Sequence, residues 1–221
     1  MTITIVRHPD AATLLSFSAG SLTEPLAAAT AAHLSLCPAC RTNVRNLDLL
    51  GAALLASAPR AETTMAKPVI MPERPSDGVA SVRPKRGGGE RTAELLPDPI
   101  AERYGLRLEA VPWKWLAPGV LHHRLSLSPG IEGDLRLLKI AAGARMPEHG
   151  HGGAELTLVL DGAYADLSGE YRRGDMQDVS DDIEHRPIAD AKEGCICLIA
   201  SERPARFKGI VGRLLQPWTG L

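Results

Sequence analysis

The sequence predicts an α+β chain of two domains, a small all-α helical domain followed by an all-β domain. Three observations carry that prediction. Residues 1–58 are rich in Ala and Leu, poor in charge, and place their apolar residues at helical spacing. Residues 59–89 break every periodic pattern with Pro59, Pro68, Pro72, Pro75 and Pro84, then close on Arg83-Pro-Lys-Arg-Gly-Gly-Gly89, which reads as a flexible linker. From about Leu106 onward, short apolar runs alternate with Gly, Pro and Asp, the pattern of a sandwich or barrel spanning 106–221. At 221 residues, two small domains suit the length better than one large one.

Pro9 can open a first helix that carries Leu14, Leu15 and Phe17 and ends at Gly20. Thr2–Val6 before it is a short strand or an unstructured lead. The second helix is capped either by Ser21, in capping-box spacing with Glu24, or by Thr23 before Glu24-Pro25; it carries Leu22, Leu26, Ala29 and His33. The third helix runs from about Pro38 to Ala58 with Val44, Leu47, Leu50 and Leu54. An extra helix is expected near 90–104, its limits blurred by Pro97 and Pro99. Strands are expected at Leu108–Leu116, Val120–Ser128, Asp134–Ile140, Glu155–Leu160, Ala163–Leu167, Gly194–Ala200 and Val211–Leu215. Asp161-Gly162 reads as a hairpin turn between two of them.

Composition narrows the function classes. The chain is 44% apolar and 23% charged, with a net charge of −1, so no strong field directs it to nucleic acid or an anionic membrane. The basic cluster at 83–89 reads as solvated linker. No apolar run reaches bilayer length, and no secretory leader is recognisable, so a cytoplasmic chain is expected. The four cysteines form two close pairs, Cys37/Cys40 and Cys195/Cys197, which in such a chain suggest metal or redox chemistry before disulfides.

The stretch His33-Leu-Ser-Leu-Cys37-Pro-Ala-Cys40 sits at the joint of the second and third helices. His33 and Cys37 are one helical turn apart, and Pro38 suits the first position of a new helix. Both thiols then flank a helix N-terminus, where the dipole favours thiolate. Zinc takes four such ligands in a tetrahedron, so a fourth must come from elsewhere. His8 is either that ligand or an exposed surface histidine. A three-helix core this thin also needs a staple.

A second constellation, Gly143-x5-His149-x-His151-x3-Glu155-x6-Gly162, lies in the β region. Residues two apart on a strand share a face, and Glu155 can return to it after the Gly152-Gly153 turn. His185, beyond Gly174-Asp175, can complete a His3Glu set suited to zinc, iron, manganese or nickel. Cys195 and Cys197 share one face of a strand, either as redox-responsive thiols or as small buried hydrophobes.

The Gly-His-x-His-Glu-Gly pattern resembles the first motif of the cupins, and Gly174-Asp175 with His185 resembles part of the second, which lacks its usual proline and asparagine. His8 with His33-x3-Cys37-x2-Cys40 resembles the zinc-binding anti-sigma domain. The two in this order resemble the ChrR-type zinc-binding anti-sigma factors over nearly the whole chain. That resemblance implies a helical domain that binds an extracytoplasmic-function sigma factor and masks its docking on RNA polymerase, with no direct contact to nucleic acid or membrane. It implies an all-β cupin (jelly-roll) barrel needed for release under oxidative stress of the singlet oxygen or organic hydroperoxide type. It assigns zinc to His8, His33, Cys37 and Cys40, and a second metal, usually zinc, to His149, His151, Glu155 and His185. It implies no catalysis. The alternative class is a metal-dependent cupin enzyme, a dioxygenase or isomerase; a thioredoxin-like reading of Cys37-Pro-Ala-Cys40 is disfavoured because the motif follows a helix.

Overall fold

A computed structural model describes residues 4–58, 96–146, 153–179 and 186–203, and the backbone alone of 149–150 and 206–207. The linker expected at 59–89 and the strand expected at 211–215 lie outside the described residues, as do His151 and His185.

Three helices form the N-terminal part. Helix α1, Ala11–Ser18, is capped by Asp10, whose carboxylate accepts the Thr13 amide at 2.6 Å. Helix α2, Glu24–Leu36, starts at Thr23 with Pro25 in its first turn. The capping box with Ser21 is not formed, because the helix begins two residues too late for it; the Glu24 carboxylate instead accepts the Ser128 amide at 3.0 Å and pairs with Arg103. Helix α3, Pro38–Ser57, begins at Cys37. Leu14, Leu34, Cys37, Cys40 and Val44 make the small core between these helices, with Phe17 and Leu47 against it. Of the expected helix near 90–104, α4 spans Asp98–Tyr104 and ends on left-handed Gly105; residues 90–95 lie outside the described residues.

The β region contains β1 (Lys114–Ala117), β2 (Val120–Arg124), β3 (Asp134–Ile140), β4 (His149–Gly150), β5 (Glu155–Asp166), β6 (Gly169–Arg172), β7 (Met176–Val179), β8 (Ile188–Ala189), β9 (Cys195–Ser201) and β10 (Arg206–Phe207). The sheet order is β1-β2-β3-β9-β5-β6, with β7 and β8 also paired to β5, and β4 paired to β10. All pairings are antiparallel.

Three strand expectations are corrected. Leu108–Ala110 is a 3₁₀ turn, and β1 starts only at Lys114, because Pro112 has no N–H to give a ladder. The expected Val120–Ser128 strand ends at Arg124, after which the chain leaves the sheet and Ser128 meets Glu24. Asp161-Gly162 is not a hairpin: β5 runs straight through it. The register against β9 shifts between Val159 and Asp161, and Gly162 takes φ +66. A Cβ there would sit 2.2 Å from the Gly194 carbonyl oxygen, so the glycine serves a bulge that brings two strands close. β6, β7 and β8 were not anticipated, since each is only 2–4 residues long.

Both faces of the sheet are covered. On one face Val159, Leu138, Tyr164, Tyr171, Cys195 and Cys197 pack together. On the other, Leu135, Leu137, Leu156, Leu158, Leu198 and Ala200 meet Leu26, Ala29 and Ala32 of α2 and Ile100 of α4. Spacings of three along α2 put Leu26, Ala29 and Ala32 on one stripe, and the two alanines let the helix lie close to the strands. Each fully buried leucine there contributes about 1.5–3 kcal/mol. The helical part and the β region therefore share a core through α2.

Candidate metal centre

His8, His33, Cys37 and Cys40 converge, with their ligand atoms all within 4.8 Å of one another. His33 comes from the last turn of α2, Cys37 from the joint and Cys40 from the first turn of α3. Arg41 holds that joint closed by donating to the Leu34 and Ser35 carbonyls at 2.6 and 2.9 Å. His8 belongs to the segment before α1. Its Nδ1 lies 3.5 Å from Cys37 Sγ and 3.3 Å from Cys40 Sγ, while His33 Nε2 lies 3.4 Å from Cys40 Sγ.

These separations are the edges of a metal tetrahedron. Zn–S of about 2.3 Å and Zn–N of about 2.0 Å at tetrahedral angles place sulfur and nitrogen about 3.5 Å apart. The local electrostatics suit the same ion. Burial, then the nearby His8, lowers the pKa of His33 to about 4, so its imidazole is neutral at pH 7. Its Nδ1 faces the Gly174 carbonyl at 3.0 Å, which only accepts, so Nδ1 carries the proton and Nε2 keeps its lone pair for a metal. Burial, then the neighbouring Cys37 thiol, pushes Cys40 up to about 12. A thiol held that high ionises only against a cation, and the S2N2 donor set fits a tetrahedral ion such as zinc.

The β-region constellation is only partly in view. Glu155 opens β5, is buried, and accepts from Thr157 Oγ1 at 3.4 Å. His149 stands on β4 opposite Phe207, with its backbone alone described. Cys195 and Cys197 lie on one face of β9, both 2% exposed, with their sulfurs 3.2 Å apart. The Cys195 thiol first, then burial, raises Cys197 well above the ordinary thiol range.

Sequence reasoning missed the groups around the metal ligands. In the sequence Gly174 and Asp175 read only as part of the second cupin motif, and Arg41 is not singled out. An Arg one residue past a Cys-x2-Cys at a helix joint is a local signal for capping the preceding helix. The Gly174 contact spans 141 positions and left none.

The chain is similar to known proteins over most of its length. The family model described as a ChrR cupin-like domain matches residues 101–204. Anti-sigma-E factor ChrR of Cereibacter sphaeroides is 37% identical over 219 residues, covering 98% of this chain and 99% of that protein. The crystal structure of Rhodobacter sphaeroides SigE in complex with the anti-sigma ChrR superposes with a TM-score of 0.70 at 35% identity, covering 90% of this chain and 99% of that chain.

The centre makes a direct prediction. Cys37→Ser/Cys40→Ser should carry one metal ion fewer per chain than the wild type by elemental analysis. It should also lose helical circular dichroism at a lower temperature, since the thin α1–α3 core has then lost its crosslink. Equal metal content in the two proteins would refute the assignment.

Proposed function

This chain belongs to the ChrR family of anti-sigma factors, and from that membership we propose that it sequesters an extracytoplasmic-function sigma factor. Residues 1–58 act as the sigma-binding domain, 59–89 as the linker and 106–221 as the cupin domain. Bound sigma is kept from docking on RNA polymerase. Zinc at His8, His33, Cys37 and Cys40 supplies the crosslink that holds α2 and α3 at their joint, and the chain acts in the cytoplasm; among the described residues no helix is long and apolar enough to cross a membrane.

The observation that carries this reading is the distal half of α3. Leu49, Leu50, Leu54 and Leu55 are 56–79% exposed on one helix, beyond the point where Val44 and Leu47 finish packing on α1. A run of uncovered leucines on a well-formed helix is a binding surface, because an amphipathic helix gains its stability by laying that face in a partner's groove. The metal then fixes the direction in which this helix projects.

Release belongs to the cupin. A second metal ion at His149, His151, Glu155 and His185, zinc or else iron or manganese, is the sensing element for an oxidant of the singlet oxygen or hydroperoxide type. Cys195 and Cys197 serve as small packed hydrophobes, since buried thiols are poor nucleophiles. The alternative, a metal-dependent cupin enzyme, uses the same His3Glu set.

Two experiments test these readings. Leu50→Glu/Leu54→Glu should weaken sigma binding at least about 100-fold by calorimetry with metal content unchanged, as loss of central apolar contacts does; undiminished binding would place the interface elsewhere. Glu155→Gln should still bind sigma but fail to release it on hydroperoxide exposure. Normal release, or iron-dependent oxygen uptake by the wild type, would remove the sensing role or favour the enzyme.

A further inference from the structure

We infer that Asp175, together with the Gly174 carbonyl, positions the metal ligands His8 and His33, so that the β domain sets how tightly the helical domain holds its metal. The inference rests on reading His8, His33, Cys37 and Cys40 as a zinc centre.

His8 is exposed and belongs to no helix or strand, so no regular element fixes its place. Its neighbours are fixed from the β side instead. Asp175 is 2% exposed, and its Oδ1 accepts from the Val6 and Arg7 amides at 2.8 and 3.0 Å. The Met176 amide donates to the Arg7 carbonyl at 3.1 Å. On the other side of His8, the Asp10 amide donates to Asp178 Oδ2 at 3.0 Å. The chain on both sides of His8 is thus tied to β7 and the turn before it.

The same turn orients His33. Gly174 takes φ +89, and its carbonyl accepts the His33 Nδ1 proton at 3.0 Å. Two of the four ligands therefore take their orientation from adjacent residues of the other domain. Partners of this kind fix ring tautomer and direction and remove ordering entropy from metal binding.

The chemistry at Asp175 requires a carboxylate. Its second oxygen accepts the Arg172 amide at 2.9 Å, so both oxygens face N–H donors. An asparagine of the same shape has one acceptor oxygen and an NH2 group that would confront a donor. Asp175→Asn therefore releases either the Val6–Arg7 segment or the turn that presents Gly174.

The test compares full-length wild type, Asp175→Asn and the surface control Glu170→Gln, with Cys37→Ser/Cys40→Ser as the blank for other metal sites. Zinc affinity is measured by competition with a chromophoric chelator, and coordination by the visible spectrum of the cobalt(II)-loaded protein. Asp175→Asn should bind zinc about 10–100-fold more weakly. Its cobalt d–d bands should shift and weaken as water replaces an imidazole, while thiolate-to-cobalt charge transfer persists. Wild-type affinity and spectrum in Asp175→Asn would overturn the inference alone. A wild type that binds no metal above the blank would overturn the centre as well. Should Asp175→Asn not fold, hydrogen exchange on the wild type decides. Zinc should slow exchange of the Val6, Arg7 and Met176 amides at least about tenfold, by reciprocity of the coupling; equal exchange with and without zinc would overturn the inference.

Discussion

The contact between His33 Nδ1 and the Gly174 carbonyl, 3.0 Å long and buried, joins the metal centre to the β domain. It exists because α2 serves two cores at once. Leu26, Ala29 and Ala32 lie on the sheet with Leu156, Leu158 and Leu198, while the end of the same helix delivers His33 to the metal ligands. Close approach along the alanine stripe is what brings the imidazole within reach of the Gly174 turn. A bulkier residue at Ala29 or Ala32, both fully buried, would lift α2 and open that contact.

From that constraint follows a division of labour among the helices. α2 is consumed by its contacts with the sheet and the metal centre. α1 and the first half of α3 close a core of a few side chains, too small to hold alone. Among the described residues the remainder of α3 joins no core cluster, so its leucines stay exposed, where a partner can take them. Strand β7 also reaches in both directions: the turn before it carries Asp175 to the helical domain, and its far end, Val179, pairs with Glu155 of the cupin constellation. A change at the cupin end of β7 is thus one short strand away from the groups that hold His8.

Much of this was legible in the sequence where the signal is local. His33, Cys37 and Cys40 announce themselves by spacing around a helix joint, and α1, α2 and α3 start within two residues of their punctuation by Pro9, Thr23 and Pro38. Asp134–Ile140 is a strand with the bounds its apolar run implies. The signal failed where one dipeptide serves two geometries. Asp161-Gly162 offers a left-handed glycine, which a hairpin and a bulge both need, and only the partner strand β9 decides between them. Leu108–Leu116 is apolar enough for a strand, but Pro112 interrupts it. The packing of α2 on the sheet and the role of Asp175 depend on contacts between residues far apart in the chain, which periodicity does not encode.

A helical domain that holds a sigma factor through its metal staple must lose the sigma factor with the metal. The most direct measurement is sedimentation of the full-length protein mixed with its co-transcribed sigma factor, before and after zinc is removed by a chelator. A one-to-one complex should form, dissociate when the zinc is withdrawn and reform when it is restored. A complex indifferent to zinc, or no complex in its presence, would contradict that expectation.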